Sequence, residues 1–169
     1  LAVYVVDSPE EVPGVAALGP DPMAPGFTVD DFRAVLAAAG RAQLKGVLRD
    51  QRTLAGIGNA YSDEILHAAR LSPFKPANSL DEAATAELFG HLREVLGQAV
   101  ASAAEVPIAH LKDAKRAGMR VHGRTGEACG VCGSTIAEVS FADSSLQYCP
   151  GCQTGGKPLA DRRMSKLLK

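Results

Sequence analysis

Apolar residues recur at helical spacing through the middle of the chain and alternate with polar ones near its end. Thr28-Val-Asp-Asp31 reads as a helix start, with Thr28 as N-cap and Asp31 three residues in. Phe32, Val35 and Leu36 follow at helical spacing, and Gly40 supplies a stop. A second, short helix is predicted from Gln43 to about Gln51, with Leu44, Val47 and Leu48 inward. A third runs from Ala60 to Arg70, with Tyr61, Ile65, Leu66 and Ala69 inward. Pro73 and Pro76 then force a loop. Ser79-Leu-Asp-Glu82 reads as a second capping box. It opens a long Ala-rich helix to about Ala104 whose inward face holds Leu88, Leu92, Val95, Leu96 and Val100. Residues 106–128 read as irregular, or as a short helix followed by a basic loop. Ile136–Phe141 and Leu146–Tyr148 alternate around a turn at Ala142-Asp-Ser-Ser145, the pattern of a β-hairpin. At the front of the chain, Tyr4-Val-Val6 reads as strand, with Pro9 and Pro13 as punctuation.

Composition narrows the class. Of 169 residues, 46% are hydrophobic, enough to build a core and to exclude disorder along the whole length. No run of about 18 apolar residues occurs, so no membrane-spanning helix is expected. Leu1-Ala-Val-Tyr-Val-Val lacks a basic leader and is followed at once by Asp7, so it does not read as a signal peptide. The formal charge of −1 argues, taken alone, against a nucleic-acid partner. Its distribution argues the other way. Residues 1–31 balance at −6, residues 32–105 at 0 and residues 106–169 at +5. The bases of the last third cluster at Lys112, Lys115, Arg116, Arg120 and Arg124, and again at Lys157, Arg162, Arg163, Lys166 and Lys169. Such asymmetry fits a region facing a polyanion, and equally a solvated basic surface.

Cys129, Cys132, Cys149 and Cys152 are the only cysteines and read C-x2-C-x16-C-x2-C. Each pair suits a tight knuckle with both thiolates aimed at one ion, and Gly130, Gly133, Pro150 and Gly151 supply the turns. Two knuckles on one hairpin make a tetrahedral site for one structural Zn²⁺, with no position left for chemistry. Two disulfides in a secreted domain, or a redox pair, are the alternatives, which the absent leader disfavours.

Thr53-Leu-Ala-Gly-Ile-Gly-Asn59 places two glycines and an Asn directly before the third helix. A helix start presents free N–H groups and a positive dipole end, which together suit a phosphate. On local spacing alone, an ordinary tight turn with Asn59 as N-cap is the plainer reading.

Lys45-Gly-Val-Leu-Arg-Asp-Gln51 followed by Ala55-Gly-Ile-Gly-Asn-Ala-Tyr-Ser-Asp-Glu64 resembles the helix–two-turn–helix motif of the Fpg/Nei family of DNA glycosylases. Leu18-Gly-Pro-Asp-Pro22 resembles the linker into that family's C-terminal half. Val121-His-Gly-Arg-Thr-Gly126 and Cys149-Pro-Gly-Cys-Gln153 resemble the approach to its zinc finger and the closing knuckle. The match covers roughly residues 15–153, and the shared order of parts is more specific than any one motif. The resemblance implies a mainly α fold with a small β-hairpin zinc ribbon. It implies an end of a β-sandwich domain and linker over 1–20, a helix–two-turn–helix domain over 21–118, a four-cysteine zinc finger over 119–153 and a basic tail over 154–169. It implies that Asn59 bonds a phosphate near the lesion, helped by backbone N–H groups around Gly58, and that the finger hairpin lies on the duplex. Lys45, His122, Arg124 and Ser144 fall at or beside further DNA-facing positions of the motif.

The family removes oxidised bases and nicks the abasic strand by β-elimination, flipping the damaged base out of the duplex. Its nucleophile is an N-terminal proline followed by a Glu, and this chain begins Leu1-Ala-Val. The resemblance therefore implies the DNA-binding half of a base-excision-repair glycosylase and AP lyase, without the catalytic pair and inactive alone. The implied partners are duplex DNA holding a damaged base or abasic site and the missing N-terminal domain of the same protein. A cytoplasmic, nucleoid-associated monomer is expected. A non-catalytic zinc-ribbon module that binds nucleic acid is the alternative, and a structural domain stapled by the ribbon is a third. Two positions depart from the family pattern. Ser144 stands where an Arg usually reaches a phosphate, and His122 where many members have Tyr. Leu111 to Met119 is, by position, the candidate lesion-recognition loop. The basic tail reads as a partly ordered terminus that could also fold back onto the helices or touch DNA.

Overall fold

The computed structural model describes residues 3–141 and 144–160. Two bodies share it: a helical one up to Gly118 and a small β-hairpin finger after it. The chain enters through a 3₁₀ turn and a single helical turn, α1 (Pro13–Ala16). Val3, Tyr4 and Val5 are exposed and form no strand, so the strand expected at Tyr4–Val6 is absent. A lone strand has no ladder partner to satisfy its backbone. Gly19 then presses on the turn after the helix at Leu44–Arg49. Its N–H donates to the Gln51 carbonyl at 2.8 Å.

Helix α2 (Val29–Ala39) starts as its sequence implies. Asp31 N–H donates to Thr28 Oγ1, and the Asp31 carboxylate accepts from Thr28 N–H at 2.8 Å. Gly40 ends it at φ 58°, a left-handed conformation that glycine adopts without strain. Helix α3 (Leu44–Arg49) and helix α4 (Asn59–Ala68) form the helix–two-turn–helix pair. Helix α5 (Glu82–Ala104) packs along α2 and α4. Phe32, Leu44, Leu48, Leu54, Ile57, Ile65, Leu66, Leu88 and Leu92 are all fully buried between these helices. They form the main core, and their burial is the principal force holding the helices together.

Two expectations about α5 are corrected. Its N-cap is Asp81, which accepts from Ala84 N–H at 2.8 Å, not Ser79. Ser79 instead closes a 3₁₀ turn by donating to the Pro76 carbonyl at 2.7 Å. Val100 is 66% exposed, because the last turns of this 23-residue helix run beyond the core they would have to face. Helix α6 (Leu111–Gly118) occupies the stretch for which a lesion loop was the candidate.

Strands β1 (Ala137–Ser140) and β2 (Ser145–Tyr148) pair antiparallel, Ala137 opposite Tyr148 and Ser140 opposite Ser145. The turn expected at Ala142-Asp-Ser-Ser145 lies partly outside the described residues. A single helical turn, α7 (Pro150–Gln153), carries the last cysteine. Val139, Leu146 and Tyr148 form a second cluster that takes in Phe74 from the helical body and Leu159 from the tail. Leu159 N–H donates to the Tyr148 hydroxyl at 2.7 Å, so the tail folds back onto the finger as far as it is described. Among the described residues, no helix is long and apolar enough to cross a membrane.

Candidate nucleic-acid interface and metal centre

Helix α4 positions nearly everything of chemical interest. Residues 59, 63 and 67 lie one turn apart on one face, and Glu64 lies beside them. That polar face looks at the finger, whereas Ile65 and Leu66 face the core.

Its N-terminus is shaped by Gln51. The Gln51 amide donates to the Ile57 carbonyl at 2.7 Å and accepts from Gly56 N–H at 2.9 Å, stapling the turn shut. Gly56 sits at φ 87°, where a side chain would be strained. The N-cap is Gly58 rather than Asn59, and no side chain caps the helix. The leading N–H groups are thus left for an acceptor outside the chain. Asn59 is the first helical residue. Its Nδ2 donates to the Ser145 carbonyl on β2 at 2.8 Å, and its Oδ1 is buried without a partner among the described residues.

Lys45 is only 5% exposed. Its ammonium donates to Asp63 Oδ1 at 2.6 Å, Ser62 Oγ at 2.9 Å and the Asn59 carbonyl at 3.1 Å. Its three protons thus meet three acceptors inside the chain. Burial lowers its pKa from the ordinary lysine range, with the Asp63 carboxylate pulling the other way.

Asp63 also receives Gln147 N–H at 3.3 Å and lies 2.8 Å from His122 Nδ1. A carboxylate only accepts, so that ring nitrogen carries a proton. His122 therefore has its Nδ1 turned inward rather than free toward a phosphate. Glu64 accepts the N–H groups of Arg120, Val121 and His122 at 2.8, 2.9 and 2.9 Å. These bonds fix the strand of chain that enters the finger. Arg124 Nε donates to the Met119 carbonyl at 2.6 Å, and its guanidinium also meets Glu127 at 3.0 Å. Its role here is to hold a turn, with its partly exposed fork shared with Glu127. Neither Asp63 nor Glu64 is singled out by the sequence. The only local signal was two adjacent acids on an otherwise core-facing helix.

A groove of about 490 Å³ separates α3 from the hairpin. Lys45, Arg49, Asp50, Phe74, Phe141 and Ser144 are among the residues that line it, so Arg49 and Asp50 bring opposite charges to it. Ser144 thus does stand across the groove from α3, and the exposed Arg49 supplies a positive charge that the sequence reading passed over.

The four cysteines converge. Cys129 and Cys152 Sγ lie 3.9 Å apart, and Cys132 and Cys149 Sγ 3.3 Å apart. Both close pairs run between knuckles, and all four thiols are free, which removes the disulfide alternative. A tetrahedral zinc with Zn–S of about 2.3 Å sets sulfurs roughly 3.8 Å apart, close to the Cys129–Cys152 separation and wider than the Cys132–Cys149 one. N–H groups of Val131 and Cys152 already point at Cys129 and Cys149 Sγ, as metal knuckles require. Hydrogen bonds from Ser134 hold the exposed Cys132 thiol down to about 6, whereas burial pushes Cys149 and Cys152 up. His67 Nε2 joins Cys129, Cys149 and Cys152 in a group whose donor atoms all lie within 4.8 Å of one another. That group leaves out Cys132, whose Sγ lies 3.3 Å from Cys149 Sγ. The finger carries a structural Zn²⁺.

Residues 18–108 match the model of the formamidopyrimidine-DNA glycosylase H2TH domain, and residues 126–155 that of the zinc finger found in FPG and IleRS. The chain belongs to the formamidopyrimidine-DNA glycosylase family. A formamidopyrimidine-DNA glycosylase-like protein of Mycobacterium tuberculosis, itself uncharacterised, is 53% identical over 157 residues, which cover 93% of this chain and 98% of that protein. The formamidopyrimidine-DNA glycosylase of Thermus thermophilus is 39% identical over 153 residues. That match spans 86% of this chain but only 57% of the enzyme, so the chain covers about half the length of such relatives. The Thermus enzyme's crystal structure superposes with a TM-score of 0.74 at 36% identity, over 88% of this chain and 57% of that one. A Lactococcus lactis enzyme, solved non-covalently bound to DNA containing an AP site, gives 0.73 at 31%, over 86% and 54%. The helical body and the finger are thus the family's two DNA-binding domains.

Proposed function

We propose that this chain grips duplex DNA at a damaged or abasic site, as the DNA-binding half of an oxidised-base glycosylase and AP lyase. One observation carries the reading. The uncapped N-terminus of α4, opened by Gly56 and Gly58, stands beside the finger hairpin and is tied to it by Asn59. A phosphate at that corner would meet free N–H groups, the positive end of a helix and the hairpin at once. The exposed Arg49 adds charge along the groove. Asn59 and Gly58 are the proposed phosphate ligands, with Ser144 facing the same strand. His122 and Arg124 act behind them by holding the approach to the finger. The base-removing chemistry belongs, on the family resemblance, to an N-terminal Pro-Glu pair.

A second reading has its own support. The Mycobacterium tuberculosis relative is covered almost end to end by the match. It supports the zinc-ribbon module that binds nucleic acid as the alternative to the glycosylase reading.

The test is fluorescence anisotropy with a duplex holding an abasic-site analogue, run across a salt series. Affinity should fall steeply with salt. Asn59→Ala should weaken binding about tenfold. Arg49→Ala should lower the salt slope by about one. Salt-independent binding sinks the proposal. Borohydride trapping on abasic DNA should give no covalent complex with this chain; a trapped complex would show that it supplies its own nucleophile.

A further inference from the structure

His67 is the one member of the α4 polar face that the DNA-binding reading leaves unused. Its ring is 3% exposed, and its Nδ1 is buried without a hydrogen-bond partner among the described residues. Its Nε2 lies 3.4 Å from Cys129 Sγ, which is itself 3% exposed. A neutral imidazole carries one proton, on one nitrogen. Nδ1 has nothing to donate to. Nε2 faces a sulfur that is a thiolate, and so an acceptor, whenever the finger holds its metal.

We propose that His67 donates its Nε2–H to the zinc-bound Cys129 thiolate, and so clamps the metal knuckle to helix α4. Four thiolates on one Zn²⁺ leave the centre with a charge of about −2, set against the helical body. Backbone N–H groups offset part of this from within the finger, as Val131 does at Cys129 over 3.5 Å. Among the described residues, His67 is the side-chain donor that reaches the centre from the other domain. It completes a row of ties along one helix face: Asn59 to Ser145, Asp63 to His122 and Gln147, Glu64 to residues 120–122, and His67 to Cys129. The last tie couples metal retention to the packing of the two domains. On the four-cysteine ligand set that the C-x2-C spacing supports, His67 is a positioning residue outside the ligand shell.

The test uses the whole chain loaded with zinc. Transfer of zinc to a chelating chromophore should run about tenfold faster or more in His67→Phe, which keeps the ring's bulk and removes the donor. His67→Gln, which keeps an N–H, should recover part of the difference. Equal release rates in wild type and His67→Phe overturn the proposal. A second measurement does not depend on any variant folding. In wild-type protein loaded with cadmium-113, nitrogen NMR should show the His67 ring protonated at Nε2, with coupling to the metal only through the N–H···S bond. A His67 nitrogen bound directly to the metal, or a ring protonated at Nδ1, overturns it as well. Cobalt-loaded Cys132→Ser gives a third readout. Weakened binding with an all-sulfur-and-oxygen spectrum supports the outer role, and a tight site with a nitrogen-ligand spectrum refutes it.

Discussion

Lys45 Nζ and Asp63 Oδ1 form a 2.6 Å ion pair between α3 and α4, with their side chains 6% and 0% exposed. Neither charge has water to fall back on. Asp63→Ala should therefore cost about 3–5 kcal/mol, because it strands an ammonium in the interior. Replacing both, with Lys45→Met and Asp63→Leu, should cost clearly less than the two single changes added together. Urea unfolding of the four proteins in a double-mutant cycle measures this; additive losses would show that the pair is not coupled.

Glu64 holds the entrance of the finger by accepting three backbone N–H groups. Glu64→Gln removes the charge and turns an N–H₂ group toward those donors. The expected loss is about 2 kcal/mol, focused on this segment. Amide hydrogen exchange at Arg120, Val121 and His122 should quicken at least about tenfold, while amides in α5 change little. Uniform quickening along the whole chain would show that Glu64 serves global stability instead.

Two glycines separate a packed site from an open one. A Cβ on Gly19 would meet the backbone of Arg52 and Thr53 at 2.6–2.7 Å. Gly19→Ala should destabilise by about 1–3 kcal/mol, since those atoms belong to the tight turn after α3 and cannot step aside. Gly97 lies inside α5 with nothing near its Cβ position. Gly97→Ala should stabilise by about 0.5–1 kcal/mol through helix propensity. Thermal melts of both variants decide the point, and a harmless Gly19→Ala would refute the close approach.

What was legible in the chain was local. Thr28 and Asp31 cap α2 with each other, and the cysteines of each knuckle are three residues apart, so both could be read from neighbours. Ser79 misled because Asp81 is an equally good cap two residues on, and the bond to the Pro76 carbonyl took Ser79 out of the contest. Lys45 read as a surface base because its acceptors are 14 to 18 residues away, across the two-turn segment. His67 gives no signal in the sequence either, since its sulfur partner is 62 residues distant. Spacing along the chain carries no trace of a contact made only when two domains close on one helix.

The α2 cap also sets a pH dependence. Hydrogen bonds from the Thr28 hydroxyl and N–H hold the Asp31 carboxyl below its ordinary value of 3.8. A carboxyl depressed in the folded state binds fewer protons there than in the unfolded chain. Its contribution is therefore complete above the ordinary value and is lost as pH falls through the lower, folded one. Asp31→Asn should melt at a lower temperature than wild type near about pH 7, where the carboxylate is fully ionised. The gap should narrow as pH drops below 3.8 and close once the native carboxyl is protonated. Melting curves of the two proteins over the acid range test this. A gap that keeps its size to the acid end would mean that Asp31 acts through its shape alone, not its charge.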